Sequence, residues 1–109
     1  MAREKFQTLT EQMFYILLTL EEECCGVDIM ERVQQMSGGR VQVGPGTLYT
    51  LLDRFLQEGM IRQTRSEGRK RSYILAETGR EMLEEEVRRL VRQLEDFKRI
   101  YRRKGEQER

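Results

Sequence analysis

The stretch that most constrains the fold of this chain of 109 residues runs from Gly44 to Gly79. Its first part is an amphipathic segment that opens with Pro45, a residue suited to the first position of a helix, and closes at Gly59. Two short strand-like segments follow, Met60 to Arg65 and Lys70 to Leu75. A polar turn containing a glycine joins them, as in hairpins. The order predicts a helix over Gly44 or Pro45 to Glu58, followed by a β-hairpin.

The predicted helix has two different faces. One arc is apolar and should pack in a core, while the other is polar and free to contact a partner. The apolar arc contains Leu48, Leu51, Leu52, Phe55 and Leu56, and the polar arc contains Thr47, Thr50, Arg54 and Gln57.

Two further helices are predicted before this one. Thr8 and Glu11 have the spacing of a capping box, so the first helix should begin at Thr8 and carry a dense apolar run to Leu20. The second should run from about Val27 to Ser37 and end at a pair of glycines. Three helices and a hairpin form a winged helix-turn-helix. We therefore predict a mainly α fold with a small β-hairpin, the winged-helix domain occupying residues 1–76.

A long C-terminal helix is predicted from Glu77 to about Lys104, with a frayed tail to residue 109. Its apolar residues recur at alternating steps of three and four, which is the seam of a coiled coil. A helix of this length extends about 40 Å, beyond the reach of its own domain. We expect a homodimer through this helix, the alternative being that its end folds back on the first helix. The seam consists of Leu83, Val87, Leu90, Leu94, Phe97 and Tyr101.

Composition narrows the classes of function. The chain has no His, and its two cysteines, Cys24 and Cys25, are adjacent, which suits neither a mutual disulfide nor a metal site. They are expected to be packing residues rather than a thiol switch. We therefore expect no catalytic activity, metal or cofactor. No apolar run approaches a membrane span and no leader opens the chain, so a cytoplasmic protein without membrane contact is expected.

Charge distribution points to double-stranded DNA as a partner. The net charge is only +1, but five basic residues and one acidic residue lie between Arg62 and Arg71. A local basic stretch suffices to attract phosphates. Residues near the start of the third helix should face base edges, and the basic turn should contact phosphates. The predicted DNA-binding residues are Gly46, Thr47, Tyr49, Thr50, Arg54, Arg69, Lys70 and Arg71, with Arg62, Arg65, Arg40 and Lys5 as weaker phosphate candidates.

Two segments together resemble the PadR family of bacterial transcriptional regulators. They are Gly46-Thr47-Leu48-Tyr49 with the helix that follows, and the run from Gly68 to Gly79. The resemblance covers about Leu9 to Leu83. It implies a winged-helix dimer held by the C-terminal helix, usually a repressor of genes for stress, drug or metabolite responses.

The chain departs from the family pattern at three points. Val27 stands where a Tyr is common, Ala76 where a helix-capping Thr is common, and the chain has no Trp. Some relatives stack flat drugs on aromatic side chains at the dimer centre, a mechanism that should not be transferred to this chain. A small-molecule effector at the dimer interface is left open.

These features predict a dimeric repressor that binds an inverted-repeat operator. The main alternative is a winged-helix module that contacts another protein through the polar face of its third helix and does not bind DNA. A ligand-storing or enzymatic dimer would need polar groups along the seam, but the seam positions are apolar.

Overall fold

The computed structural model describes residues 8–108, with side chains as far as residue 102. The described chain forms four helices and three short strands. The long fourth helix extends beyond the compact part, and the molecule measures 64 Å in its longest dimension. This is the mainly α, winged-helix architecture that the sequence predicted. The elements in chain order are α1 (Glu11–Thr19), β1 (Cys24–Cys25), α2 (Gly26–Met36), α3 (Pro45–Gln57), β2 (Ile61–Glu67), β3 (Lys70–Leu75) and α4 (Glu77–Glu108).

The first helix starts later than predicted, so the expected capping box is wrong. Thr10 is the N-cap, with extended backbone angles, and its hydroxyl accepts a hydrogen bond from the Met13 amide at 3.2 Å. The Glu11 carboxylate accepts a hydrogen bond from Arg40. The spacing of Thr8 and Glu11 suggested Thr8 as the cap. The helix begins at Glu11, so the Met13 amide in its first turn lacks a partner within the helix, and Thr10 is the residue placed to supply one.

The sheet has three strands, in the order β1, β3, β2, rather than the predicted two. The additional strand contains only the two cysteines, which pair with β3 as Cys24 opposite Tyr73 and Cys25 opposite Ser72. A two-residue strand has no periodicity of its own, so only its pairing partner defines it. Cys24 is buried and Cys25 half-buried, and neither forms a disulfide.

The hairpin formed by β2, a tight turn and β3 is the wing. Its strands are antiparallel, from Ile61 opposite Leu75 to Glu67 opposite Lys70. The turn is shorter than the predicted four residues and consists of Gly68 and Arg69, because Gly68 adopts the left-handed conformation with φ of 60°. An irregularity in register between Gln63 and Arg65 bends the strand.

The core lies between the three short helices and the sheet. As predicted, α3 buries one face, with Phe55, Leu48 and Leu52 fully inaccessible to solvent. Burial of each such side chain contributes about 1.5–3 kcal/mol. The helix ends at Gln57, one residue before the predicted end, and Glu58 is its C-cap. Gly59 follows with a φ of 73° and stops the helix, as predicted. These contacts hold the opposite, polar face of α3 toward solvent.

The fourth helix is anchored only at its start. Met82 and Leu83 belong to the core of the same chain, so Leu83 packs internally although it was predicted to lie at a dimer seam. From Val87 onward the apolar side chains are 43% to 66% exposed, so the alternative that the end of the helix folds back is wrong. The helix extends to Glu108, four residues beyond the predicted end. We call its exposed apolar residues the α4 stripe: Val87, Leu90, Val91, Leu94, Phe97, Ile100 and Tyr101.

Candidate nucleic-acid interface

The start of α3 presents backbone amides to solvent. Gly44 is the N-cap and Pro45 the first helical residue, and no side chain in the described part of the chain caps this end. Gly46 has open space on its side-chain side, with no atom within 4 Å of where a Cβ would lie. Free amides and the positive end of the helix dipole attract anions. A phosphate could therefore approach this helix end closely.

The polar face of α3 is exposed, as the sequence predicted. Thr47, Thr50 and Arg54 follow one another at steps of three and four residues, so they form one row along the helix. Gln57 continues the row by one further step and is also exposed. The row gives the helix a surface of hydroxyl, guanidinium and amide groups, all of which can hydrogen-bond to bases or phosphates.

Tyr49 is held against α2 instead of standing free. Its side chain is 43% exposed, yet a Cβ placed on Gly26 would lie 2.3 Å from the Tyr49 hydroxyl oxygen. The ring therefore packs against the first turn of α2, where only a glycine leaves room. Tyr49 fixes the contact between α2 and α3 as well as facing the wing.

A cleft of about 510 Å³ separates α3 from the wing. We call it the α3–wing cleft. It brings together one predicted residue of the helix, Tyr49, with all three predicted cations of the wing. Thr47, Thr50 and Arg54 lie outside it, on the adjacent face of α3. The lining residues are Cys25, Gly26, Val27, Tyr49, Asp53, Gly68, Arg69, Lys70, Arg71 and Tyr73.

Two lining residues were not singled out from the sequence. Asp53 follows Tyr49 by four residues, and residues four apart lie on the same face of a helix. This spacing could have predicted that Asp53 lies beside Tyr49. Tyr73 is buried on β3, and burial is the main cause that raises the pKa of its phenol. The charge of Arg71 and its hydrogen bond to the phenol act in the opposite direction, while Tyr49 and Asp53 add to the rise. The Tyr73 phenol is therefore neutral at physiological pH.

Two of the weaker phosphate candidates are engaged in ion pairs. Arg40 pairs with Glu11, and Arg65 lies 3.6 Å from the Glu23 carboxylate. A cation already paired with a carboxylate is less available to a phosphate. Arg62 is exposed on the wing, and Lys5 lies outside the described residues.

A second feature lies at the inner end of the α4 stripe. An apolar groove of about 370 Å³ runs between α1 and α4, and charged side chains border it. The apolar lining comes from Phe14, Leu18, Leu83 and Val87. The groove and the stripe form a continuous apolar surface, since Val87 belongs to both.

Residues 8–108 contain neither a cluster of metal ligands nor a membrane-spanning helix. No group of three or more His, Cys, Asp or Glu side chains in this range could hold a metal ion. None of the helices described is both long enough and apolar enough to cross a membrane.

The winged helix with its exposed third helix and long fourth helix is an architecture of transcriptional regulators. Residues 16–85 match the PadR-like family of transcriptional regulators. The chain belongs to this family.

Solved structures of transcriptional regulators share the fold. The protein in the complex structure of hsRosR-S1 has 27% sequence identity to this chain, and the two structures align with a TM-score of 0.63. The alignment covers 98% of this chain and 88% of that chain. The structure of RosR from H. salinarum grown from NaBr is also 27% identical with a TM-score of 0.63, over 84% of this chain and 79% of that one. A transcriptional regulator from Clostridium thermocellum is 19% identical, with a TM-score of 0.63 over 83% of this chain and 88% of that one, a likeness of fold alone.

One curated relative is considerably longer. It is an uncharacterized 37.1 kDa protein in transposon TN4556 of Streptomyces fradiae, 33% identical over 86 residues. The match covers 79% of this chain and 24% of that protein. The chain thus spans about a quarter of the length of this relative.

Proposed function

We propose that this protein is a dimeric repressor that binds double-stranded DNA at an inverted-repeat operator in the cytoplasm. One observation carries the proposal: the exposed polar face of α3 lies beside a cleft lined by Arg69, Lys70 and Arg71 of the wing. A helix with hydrogen-bonding side chains suits the major groove, and adjacent cations suit the phosphate backbone. Membership of a family of transcriptional regulators supports the same conclusion.

The proposed contacts fall into two groups. Gly46, Thr47 and Thr50 lie near the start of α3 and would contact base edges. Arg54 continues the row of Thr47 and Thr50, and Tyr49 lies on the side of the helix that faces the wing. Arg69, Lys70 and Arg71 would bind phosphates without regard to sequence. The first group would set which operator is chosen, and the second would provide most of the salt-dependent affinity.

Dimerisation would place two copies of α3 on one face of the duplex. The α4 stripe exposes seven large apolar side chains, which a second copy of this helix would cover. A two-fold dimer presents two reading helices about one duplex turn apart, which accounts for an operator with inverted repeats. The groove between α1 and α4 adjoins this interface and is where a small-molecule effector would bind.

The proposal is tested by replacing Arg69, Lys70 and Arg71 together with Ala. Binding to a random-sequence duplex of about 30 base pairs should weaken at every site, and the slope of log affinity against log salt should fall by up to roughly three. Fluorescence anisotropy over a range of NaCl concentrations measures both quantities. Selection from a random duplex pool should then yield an inverted repeat, and a reporter gene placed behind it should be repressed.

The matched control replaces three exposed cations on α4 that lie away from the α4 stripe, Arg88, Arg92 and Arg99, with Ala. This variant has the same net charge but retains the wing, so its salt slope should remain near that of the wild type. Equal slopes for the wing variant and the wild type would reject the wing as a phosphate site. A wild type that binds duplex no better than an unrelated neutral protein would favour the module that contacts another protein instead.

A further inference from the structure

Asp53 is an acidic residue in the basic α3–wing cleft. It lies on α3, one turn after Tyr49, and its side chain is exposed. It shares the cleft with Arg69, Lys70 and Arg71, and among residues 8–108 it is the one acidic side chain that lines the cleft. A carboxylate among cations reduces the local positive potential that attracts phosphates.

Asp53 and Arg71 line the same cleft as the buried Tyr73. Beyond the effect of burial, both side chains act on the pKa of the Tyr73 phenol, Arg71 lowering it and Asp53 raising it. All three residues line the α3–wing cleft, so the carboxylate and the guanidinium face the same space. A phosphate that enters the cleft to contact Arg71 must also approach the negative charge of Asp53.

We propose that Asp53 weakens the binding of DNA phosphates in the α3–wing cleft. The inference rests on the proposed function and deepens it. The carboxylate competes with phosphate oxygens for the wing cations and repels those oxygens directly. This penalty applies to every duplex, because all duplexes carry the same phosphates. Operator and random-sequence duplexes are therefore weakened by a similar factor, so Asp53 limits the phosphate-dependent share of the affinity and leaves the choice of sequence to the Thr47 and Thr50 face.

The experiment compares wild type with Asp53→Asn, which removes the charge and keeps the shape. Affinity for a random-sequence duplex should rise roughly two- to fivefold at low salt, as expected for one exposed charge pair. The salt slope should steepen by up to about one, because one more phosphate is neutralised. Asp53→Glu should keep the weak unspecific binding of the wild type, and Asp53→Ser should behave like Asp53→Asn. Anisotropy titrations give the affinities, and circular dichroism shows that each variant is folded.

The matched control is Glu31→Gln, which changes the net charge equally. Glu31 is exposed on α2 and does not line the cleft. Its variant should bind random duplex as the wild type does. An equal gain for both variants would mean that only net charge matters and would overturn the inference, as would an unchanged or weaker affinity for Asp53→Asn. If the wild type binds no duplex, the proposed function fails and this inference with it; if the wild type binds and Asp53→Asn matches it, only the inference fails.

Discussion

At Gly79, the absence of a side chain allows α4 to pack directly against the backbone of Met60, the residue before β2, and against Leu75 at the end of β3. A Cβ at this position would lie 2.2 Å from the backbone carbonyl oxygen of Met60 and 2.8 Å from a methyl carbon of Leu75. The same carbonyl oxygen accepts a hydrogen bond from the Ala76 amide at 2.9 Å. Backbone atoms cannot move aside as a flexible side chain can, so a larger residue would displace the start of the helix.

We expect Gly79→Ala to destabilise the protein by about 1–3 kcal/mol, the range for overpacking, despite the better helix propensity of alanine. Urea unfolding at fixed protein concentration measures the change. Gly46→Ala is the control, since it lies in a helix with open space around it and should be neutral or stabilising. If both substitutions stabilise the protein, the close approach of Gly79 to Met60 does not exist in solution.

Among the elements, α4 contacts the residues before α1 through the buried carboxylate of Glu86, which accepts a hydrogen bond from the Leu9 amide. Glu86 is 5% exposed and accepts hydrogen bonds from the Leu9 amide at 3.1 Å and from Arg89. The bond from Arg89 is the main cause that lowers the pKa of Glu86 below its ordinary value of 4.5. Burial acts in the opposite direction, and the Leu9 amide helps to lower the pKa. The carboxylate is therefore ionised in the folded protein at neutral pH.

Glu86→Gln should cost about 1–3 kcal/mol at pH 7, because the buried charge-assisted hydrogen bonds are lost. A carboxyl group with a lowered pKa stabilises the fold above its unfolded pKa, and this contribution is lost as the pH falls through its folded pKa. The difference between wild type and variant should thus be complete at pH 7 and shrink below pH 4.5. Thermal unfolding from pH 7 to pH 3 measures it. Glu84→Gln, an exposed change on the same helix, should show a small difference at all pH values.

For the whole molecule, the α4 stripe determines the expected assembly. Its side chains begin where the contacts of α4 with its own domain end, and they continue along the outer part of the helix. Stacked rings of Phe97 and Tyr101, with centroids 4.9 Å apart, lie on this surface. An apolar surface of this extent is typical of an interface between chains.

Replacing Leu94 and Phe97 with Asp should convert the expected dimer into a monomer of 13.1 kDa, because two carboxylates would be buried without partners. Sedimentation equilibrium measures the mass. The variant should also lose most of its affinity for a two-site operator, since each half-site would then be bound separately. Arg92→Asp, on the opposite face of α4, should remain a dimer. A wild type with the mass of one chain at all accessible concentrations would contradict the dimer.

Local features of the sequence were enough to predict the helices, the hairpin and the two faces of α3. Pro45 and Gly59 bound α3 because their backbone preferences act without distant partners, and the apolar period marks the buried face. The repeat along α4 likewise predicted a long helix with an apolar stripe. These features depend only on residues close together in the chain, so a single sequence is enough to predict them.

Tertiary structure alone decided what lies beside these elements. Cys24 and Cys25 become a strand only because β3 is there to pair with them, and Leu83 is internal because α1 covers it. Asp53 meets the wing cations because packing brings α3 and the hairpin to the two sides of one cleft. Contacts between residues far apart in the chain arise from how apolar faces pack together, and that arrangement has no signature in local spacing.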